Sequence, residues 1–199
     1  MHPRDERLAA ELGTDALRRY FAAHGPLRAT DADFSEAALH QVREADLANG
    51  LGNCVGRVVG IAARHFDGRL PAAGTEGAPE LLALAARTAD SVATDVEAVA
   101  LDRIVESLRT LVNAVDRALQ AREPYRLAPD PNRRSEAGAV LSDAAQALAT
   151  AASLAAPIIP RGARELLRRL GVSHLAWPAV GTPTAGVALS SGTPVFPRG

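Results

Sequence analysis

Apolar residues recur every three or four positions along most of the chain, which is the spacing of helices that bury one face. The first such segment runs from Arg7 to His24, and Gly25 and Pro26 follow it as residues that typically end a helix. Ser35 then stands where it can cap a second helix. Glycines within Asn49–Gly52 predict a kink in that helix, because glycine weakens helical structure.

The second half of the chain continues the helical pattern. The spacing predicts one long helix from Glu80 to about Gln120. A proline cluster within residues 123–134 interrupts the pattern, and an alanine- and leucine-rich helix follows from Ala137 to Ala155. Pro160 can open a short helix that Gly171 would end. The pattern therefore predicts an all-α fold, a bundle of about five helices.

The last part of the chain differs in composition. Residues 172–199 are rich in Gly, Pro, Ser and Thr, and Trp177 and Phe196 are their only large side chains. We predict an extended C-terminal tail that either packs back on the bundle or is mobile. The chain is thus divided into an N-terminal helical part (1–30), a bundle (31–171) and a tail (172–199).

Composition and charge limit the classes of function. Hydrophobic residues make up 47% of the chain and aromatic residues 4%, and a core of small aliphatic side chains favours helices over sheets. The net charge is −1 and the pI about 6.5, so any nucleic-acid site must be a local patch. Residues 117–134 carry five arginines against Glu123 and Asp130, whereas residues 75–106 are acidic. Ordinary solvated helix faces remain the more common explanation of such charges.

Few residues offer catalytic or metal chemistry. Cys54 is the one cysteine, so no internal disulfide or multi-cysteine zinc site is expected. His24, His40, His65 and His174 lack the spacing of a metal site, and we expect no cofactor. No apolar run approaches ~20 residues and no secretory signal is visible, so we expect a cytoplasmic protein without a membrane span.

The segment from Asp31 to Pro71 carries several short motifs in a fixed order. It reads DADFSEAALHQVREADLANGLGNCVGRVVGIAARHFDGRLP and resembles the start of the anticodon-binding domain of bacterial methionyl-tRNA synthetases. That family has DFSE, then LAN-x-LGN-x-x-x-R, then YFDG. The counterparts here are Asp33–Glu36, Leu47–Asn53 with Arg57, and His65–Gly68.

The resemblance continues on both sides of this segment. ELGTDALRRYF, residues 11–21, is similar to the helix that joins the catalytic half of the family to the bundle. LAAPIIPRGARELLRRLG, residues 154–171, resembles the penultimate helices, and TPVFPR, residues 193–198, resembles the closing strand. Residues 1–30 would then be the connecting helix. The HIGH-type and KMSKS-type motifs of the catalytic half do not occur in this sequence, so we do not expect an enzyme.

The resemblance implies a set of RNA-contacting residues. In the family, residues at the positions of Asn53 and Arg57 hydrogen-bond to anticodon bases, and the two share one face of the predicted helix. Tyr125 stands where the family has a tryptophan, and stacking on an unpaired base is worth roughly 1–3 kcal/mol. Arg122 and Arg126 complete the candidate site. The alternatives are structural: a solvated arginine, an asparagine where a helix resumes, and a tyrosine packed in a proline-rich turn.

Two hypotheses for function follow. The first is a free-standing anticodon-binding domain that binds tRNA, with a methionine-type anticodon stem-loop as partner and no DNA, acting beside a separate catalytic subunit. The second is a degenerate synthetase paralogue that serves as a scaffold or partner subunit. Tyr125 in place of tryptophan, and Asp116 where the family tends to have asparagine, favour the second. The apolar face of residues 11–21 would then invite a homodimer or a protein partner.

Overall fold

The protein is described by a computed structural model for residues 11–25, 33–173 and 180–196, and in these ranges it is built from helices. No helix there is long and apolar enough to cross a membrane. An isolated antiparallel bridge joins Arg69 to Ala188, and these ranges contain no strand. The predicted all-α bundle is confirmed. In chain order the helices are α1 (Thr14–His24), α2 (Glu36–Gln41), a π-helix (Val42–Gly52), α3 (Asn53–His65), α4 (Pro79–Glu97), α5 (Leu101–Arg122), α6 (Pro124–Leu127), α7 (Arg134–Ala155) and α8 (Pro160–Arg169).

Helix α7 forms the centre of the bundle. Nearly every residue from Ala137 to Ala155 is buried, with Gln146 and Thr150 as the half-buried exceptions. Helices α3, α4, α5, α6 and α8 all pack against it. Because nine of its 22 residues are alanines, five neighbouring helices can approach it closely. The apolar composition of this helix all round is that of a buried helix.

The prediction of one long helix from Glu80 to Gln120 is wrong. The chain reverses between α4 and α5, and the two helices pack as a hairpin. Val99 takes a left-handed φ of 52° at the reversal, and the Ala100 N–H donates to the Asp95 carbonyl at 2.8 Å. Val99 is neither glycine nor proline, so the sequence carries no local signal for this turn.

The predicted kink at Asn49–Gly52 is replaced by the π-helix, which joins α2 to α3 without a break. A Cβ on Gly50 would lie 3.1 Å from the Ala45 carbonyl oxygen. A Cβ on Gly52 would lie 2.9 Å from the Leu47 carbonyl oxygen. Both carbonyls belong to the residue five positions earlier, which is the spacing of π-helical hydrogen bonds. The glycines therefore permit this geometry.

The predicted N-terminal helix is interrupted at Gly13, because Glu11 and Leu12 before it are also helical. Gly13 has a φ of 85°, and α1 begins at Thr14, while residues 7–10 lie outside the described ranges. The end at His24 is as predicted. Ser35 caps α2, as expected, by accepting the Ala38 N–H at 3.2 Å. The burial of Tyr20 and its neighbours on α1 attaches this helix to the same core as the bundle.

The described part of the tail lies on the bundle. The Leu70 N–H donates to the Val187 carbonyl at 2.9 Å, and the Leu189 N–H donates to the Gly68 carbonyl at 2.8 Å. Phe196 packs beside Gly52 and Gly162. Residues 193–196 form no strand, contrary to the resemblance, and Trp177 lies outside the described residues. The division of the chain into three parts stays a prediction.

Candidate nucleic-acid interface

Helix α3 presents two of the candidate residues one turn apart. Cys54, Val55 and Val58 bury one side of the helix in the core. Asn53 is exposed at its first residue, and Arg57 is half-buried. Helix α2, the π-helix and α3 form one continuous helical segment. Buried residues anchor this segment along its length, so it holds both side chains at this surface.

Arg57 forms an ion pair with Asp116 of α5. Its Nη1 donates to the Asp116 Oδ1 at 2.5 Å, and the Gln120 Nε2 donates to the Asp116 Oδ2 at 2.5 Å. The side chains of Arg57 and Asp116 are 28% and 33% exposed, so the pair is only partly screened by solvent. Sequence reasoning treated Asp116 as a departure from the asparagine of the family, and it missed this contact and Gln120. The available signal was the spacing of Asp116 and Gln120, four apart on one helix.

Cys54 lies beneath this ion pair. Its Sγ is 4.0 Å from the Asp116 Oδ1 and is buried. Burial, followed by the Asp116 charge, raises the pKa of the Cys54 thiol to about 12. The thiol is therefore protonated at neutral pH and poorly reactive. Among the described residues no three His, Cys, Asp or Glu side chains gather as metal ligands, and His174 lies outside them.

Tyr125 lies on the short helix α6, at the opposite end of α5 from the α4–α5 turn. The residue is 45% exposed, and its hydroxyl donates to the Glu123 Oε1 at 3.1 Å. The Arg126 guanidinium lies 5.7 Å from the ring centroid and also pairs with Glu123 at 3.1 Å. The polar and ring contacts of Tyr125 within the described chain thus run to its own neighbours, and none joins it to Asn53 or Arg57.

Three of the five arginines within residues 117–134, Arg122, Arg126 and Arg133, form ion pairs with carboxylates. Arg122 pairs with Glu80 of α4 at 3.4 Å, and Arg133 pairs with Glu136 at 2.8 Å. Each of the three candidate arginines, Arg57, Arg122 and Arg126, therefore has a carboxylate partner. Counting charges along the sequence overstated the positive potential here, because the fold brings carboxylates from other helices to Arg57 and Arg122.

A groove lies between the start of α3 and the tail. Its volume is about 460 Å³, and its lining comprises Ala48, Gly52, Asn53, Gly56, Arg169, Gly192, Pro194, Val195 and Phe196. Arg169 is held in place, since it donates to the Glu165 Oε1 at 2.8 Å and to the Thr193 carbonyl at 2.5 Å. Hydrogen bonds from Arg168, and with them that from Arg169, lower the pKa of Glu165 to about 2. The position of the tail in the groove beside Asn53 thus depends on an ionised Glu165.

Comparison with known proteins places the fold of this chain in the class of helical domains found in aminoacyl-tRNA synthetases. The chain is 30% identical over 201 residues to the methionine–tRNA ligase of Streptococcus pneumoniae serotype 4, a match that covers 97% of this chain and 30% of the ligase. It is 30% identical over 198 residues to that of Deinococcus radiodurans, covering 97% of this chain and 29% of the ligase. No protein-family model matches.

Comparison with solved structures supports the same relationship to methionyl-tRNA synthetases. The free form of Mycobacterium tuberculosis methionyl-tRNA synthetase superposes with a TM-score of 0.85 at 27% identity, covering 96% of this chain and 40% of that chain. Its complex with methionyl-adenylate superposes with a TM-score of 0.84 at 26% identity, covering 96% of this chain and 39% of that one. The chain is therefore related to the C-terminal helical region of methionyl-tRNA synthetases and spans about 30% of the length of the curated relatives. The resemblance stated from the motifs is confirmed.

Glu165→Gln should flatten the acid limb of the stability profile. The pKa of Glu165 falls from 4.5 to about 2 in the folded protein, so its stabilisation is present above pH 4.5 and is lost as the pH falls towards 2. The difference in free energy of unfolding between wild type and variant, from urea denaturation, should shrink across this window. Glu136→Gln, which breaks the ion pair with Arg133 away from the tail, is the control. A difference that does not vary with pH would contradict the assignment.

Proposed function

We propose that this domain binds the anticodon stem-loop of a tRNA, with a methionine-type anticodon as the first candidate. Support comes from its similarity, over 97% of the chain, to proteins named methionine–tRNA ligases. The observation that carries the proposal is the surface of α3. Asn53 and Arg57 lie one turn apart there, on a helix whose other side is buried in the core. Amide and guanidinium groups suit the edges of the unpaired bases of such a loop.

The charges of this surface favour reading of bases over attraction to phosphates. The candidate arginines Arg57, Arg122 and Arg126 are each paired with a carboxylate, and the net charge of the chain is −1. Phosphate contacts by such arginines would have to compete with these ion pairs. The exposed ring of Tyr125 offers stacking, which is tolerant of salt compared with phosphate contacts. The proposed mode is therefore stacking on Tyr125 together with hydrogen bonds from α3.

Two glycines on α3 support a close approach by a ligand. Gly56 and Gly60 are exposed within the helix, and apart from their chain neighbours and the nearby backbone of α3 no atom of the described chain would lie within 4 Å of an added Cβ at either. A glycine within a helix destabilises it by about 0.5–1 kcal/mol relative to alanine. Packing within the described residues gives no reason for either glycine. A bare helix surface beside Asn53 and Arg57 is what a base or ribose needs to reach the backbone.

We further propose that the domain acts together with a catalytic unit. The given sequence holds neither the HIGH-type nor the KMSKS-type motif, and the relatives match it over about 30% of their length. No ligase activity is proposed for this domain. Its contribution would be the tRNA contacts.

The Arg57→Ala, Tyr125→Ala double variant should bind the anticodon stem-loop at least about tenfold more weakly, since one stacked base alone is worth ~1–3 kcal/mol. Fluorescence anisotropy with labelled stem-loops of initiator and elongator methionine tRNAs measures this, with a changed-anticodon loop as RNA control. Arg87→Ala, an exposed arginine on α4, is the protein control. Equal affinity of the double variant and the wild type would overturn the site.

Gly56→Ala should change stability and binding in opposite directions. The free energy of unfolding should rise by about 0.5–1 kcal/mol, because alanine favours the helix and meets no neighbour. Affinity for the stem-loop should fall, because the methyl group keeps the RNA from the helix surface. Thermal denaturation and anisotropy on the same preparation report both quantities. A more stable variant that retains full affinity would exclude this part of α3 from the interface.

A second candidate function is that of a partner subunit, and one surface favours it. Phe21 is 49% and Phe34 39% exposed, and both rings pack edge-on against Tyr20, with centroids 5.4 and 5.3 Å from its ring. Exposed aromatic clusters are typical of protein interfaces. Sedimentation velocity over a concentration range should then show self-association that Phe21→Ser with Phe34→Ser abolishes. A monomer at every concentration, together with tight stem-loop binding, would decide for the first candidate.

A further inference from the structure

Asp116 lies at the centre of a cluster that joins α3 to α5. Its Oδ1 accepts from the Arg57 Nη1 and its Oδ2 from the Gln120 Nε2, each at 2.5 Å. We infer that Asp116 is a positioning residue for RNA recognition: it orients Arg57 and cancels its charge, so that the surface selects among bases and binds phosphate backbone weakly. This inference rests on the proposed function.

The geometry restricts how Arg57 can present its donors. A guanidinium carries five N–H groups in one plane, so holding Nη1 against a carboxylate sets the direction of the others. Gln120 restrains the carboxylate in turn, because it stands one helical turn from Asp116 on α5. Two helices of the core carry the cluster, and α3 and α5 both pack on α7. Arg57 is thus oriented before RNA arrives, which lowers the entropy lost on binding.

The charge of Asp116 acts on every RNA in the same way. A carboxylate within hydrogen-bond reach of Arg57 opposes the approach of any phosphate, whatever the sequence of the RNA. Hydrogen bonds to a base edge, in contrast, depend on the direction of the donors, which Asp116 sets. The same residue therefore lowers affinity for all RNAs and raises the ratio between a matching and a non-matching loop.

The test is Asp116→Asn, which keeps the size of the side chain and removes its charge. Affinity for a changed-anticodon stem-loop should rise about tenfold, and the ratio of cognate to changed affinity should fall by a similar factor. The slope of log K against log salt should steepen by ~0.7, the value for one additional phosphate contact on single-stranded nucleic acid. Anisotropy titrations over a salt series give all three quantities.

Glu106→Gln is the matched control. Glu106 also lies on α5, and it pairs with the exposed Arg109 at 2.7 Å, so the change removes the same charge and releases an arginine elsewhere on the helix. The ratio of the affinity for the cognate stem-loop to that for the changed-anticodon stem-loop should stay at the wild-type value. Gln120→Ala is a second variant that leaves the ion pair in place, and it should lower the ratio in the same direction as Asp116→Asn.

The outcomes separate this inference from the function on which it rests. If the wild type binds the stem-loop and Arg57→Ala weakens that binding, but Asp116→Asn changes neither ratio nor slope, the role of Asp116 is overturned and the proposed function stands. If Glu106→Gln lowers the ratio as much as Asp116→Asn does, the effect is one of net charge and positioning is again overturned. A wild type that binds no stem-loop overturns both.

Discussion

The packing of five helices against the alanine-rich helix α7 is the constraint on which the rest of the structure depends. Small side chains on every side of α7 allow its neighbours to approach closely, and interiors are packed densely enough that such contacts define position. Asp143, buried on α7, accepts the Ala78 N–H at 2.7 Å and so also sets where α4 begins. Helices α3 and α5 take their places relative to each other because both lie on this centre.

The packing of α3 and α5 on α7 sets the geometry of the candidate surface. Placing α3 beside α5 brings Arg57 within hydrogen-bond distance of Asp116, and the hairpin of α4 and α5 brings Glu80 to Arg122. Three of the five arginines in the basic stretch of the sequence, Arg122, Arg126 and Arg133, form ion pairs. A surface of this kind contributes oriented hydrogen-bond donors and an exposed aromatic ring, and it contributes little free positive charge.

Sequence reasoning reached much of the fold because helices are local. The caps and ends at Ser35, His24 and Gly171 follow from residue types that favour or forbid helical backbone. It failed where the tertiary structure imposes a conformation without a local signal. Val99 turns left-handed because the faces of α4 and α5 are both buried in the hairpin, and the glycines before Asn53 allow a π-helix in place of a kink.

The sequence by itself determined the all-α class and the relationship to methionyl-tRNA synthetases, since helical periodicity and ordered motifs are properties of residues near one another in the chain. It also named Asn53, Arg57, Arg122, Tyr125 and Arg126 as candidates. Only the tertiary structure decided which carboxylates those arginines meet and that Tyr125 contacts its own neighbours. The physical reason is that ion pairs form between side chains close in space, and Arg57 and Asp116 are 59 residues apart along the chain.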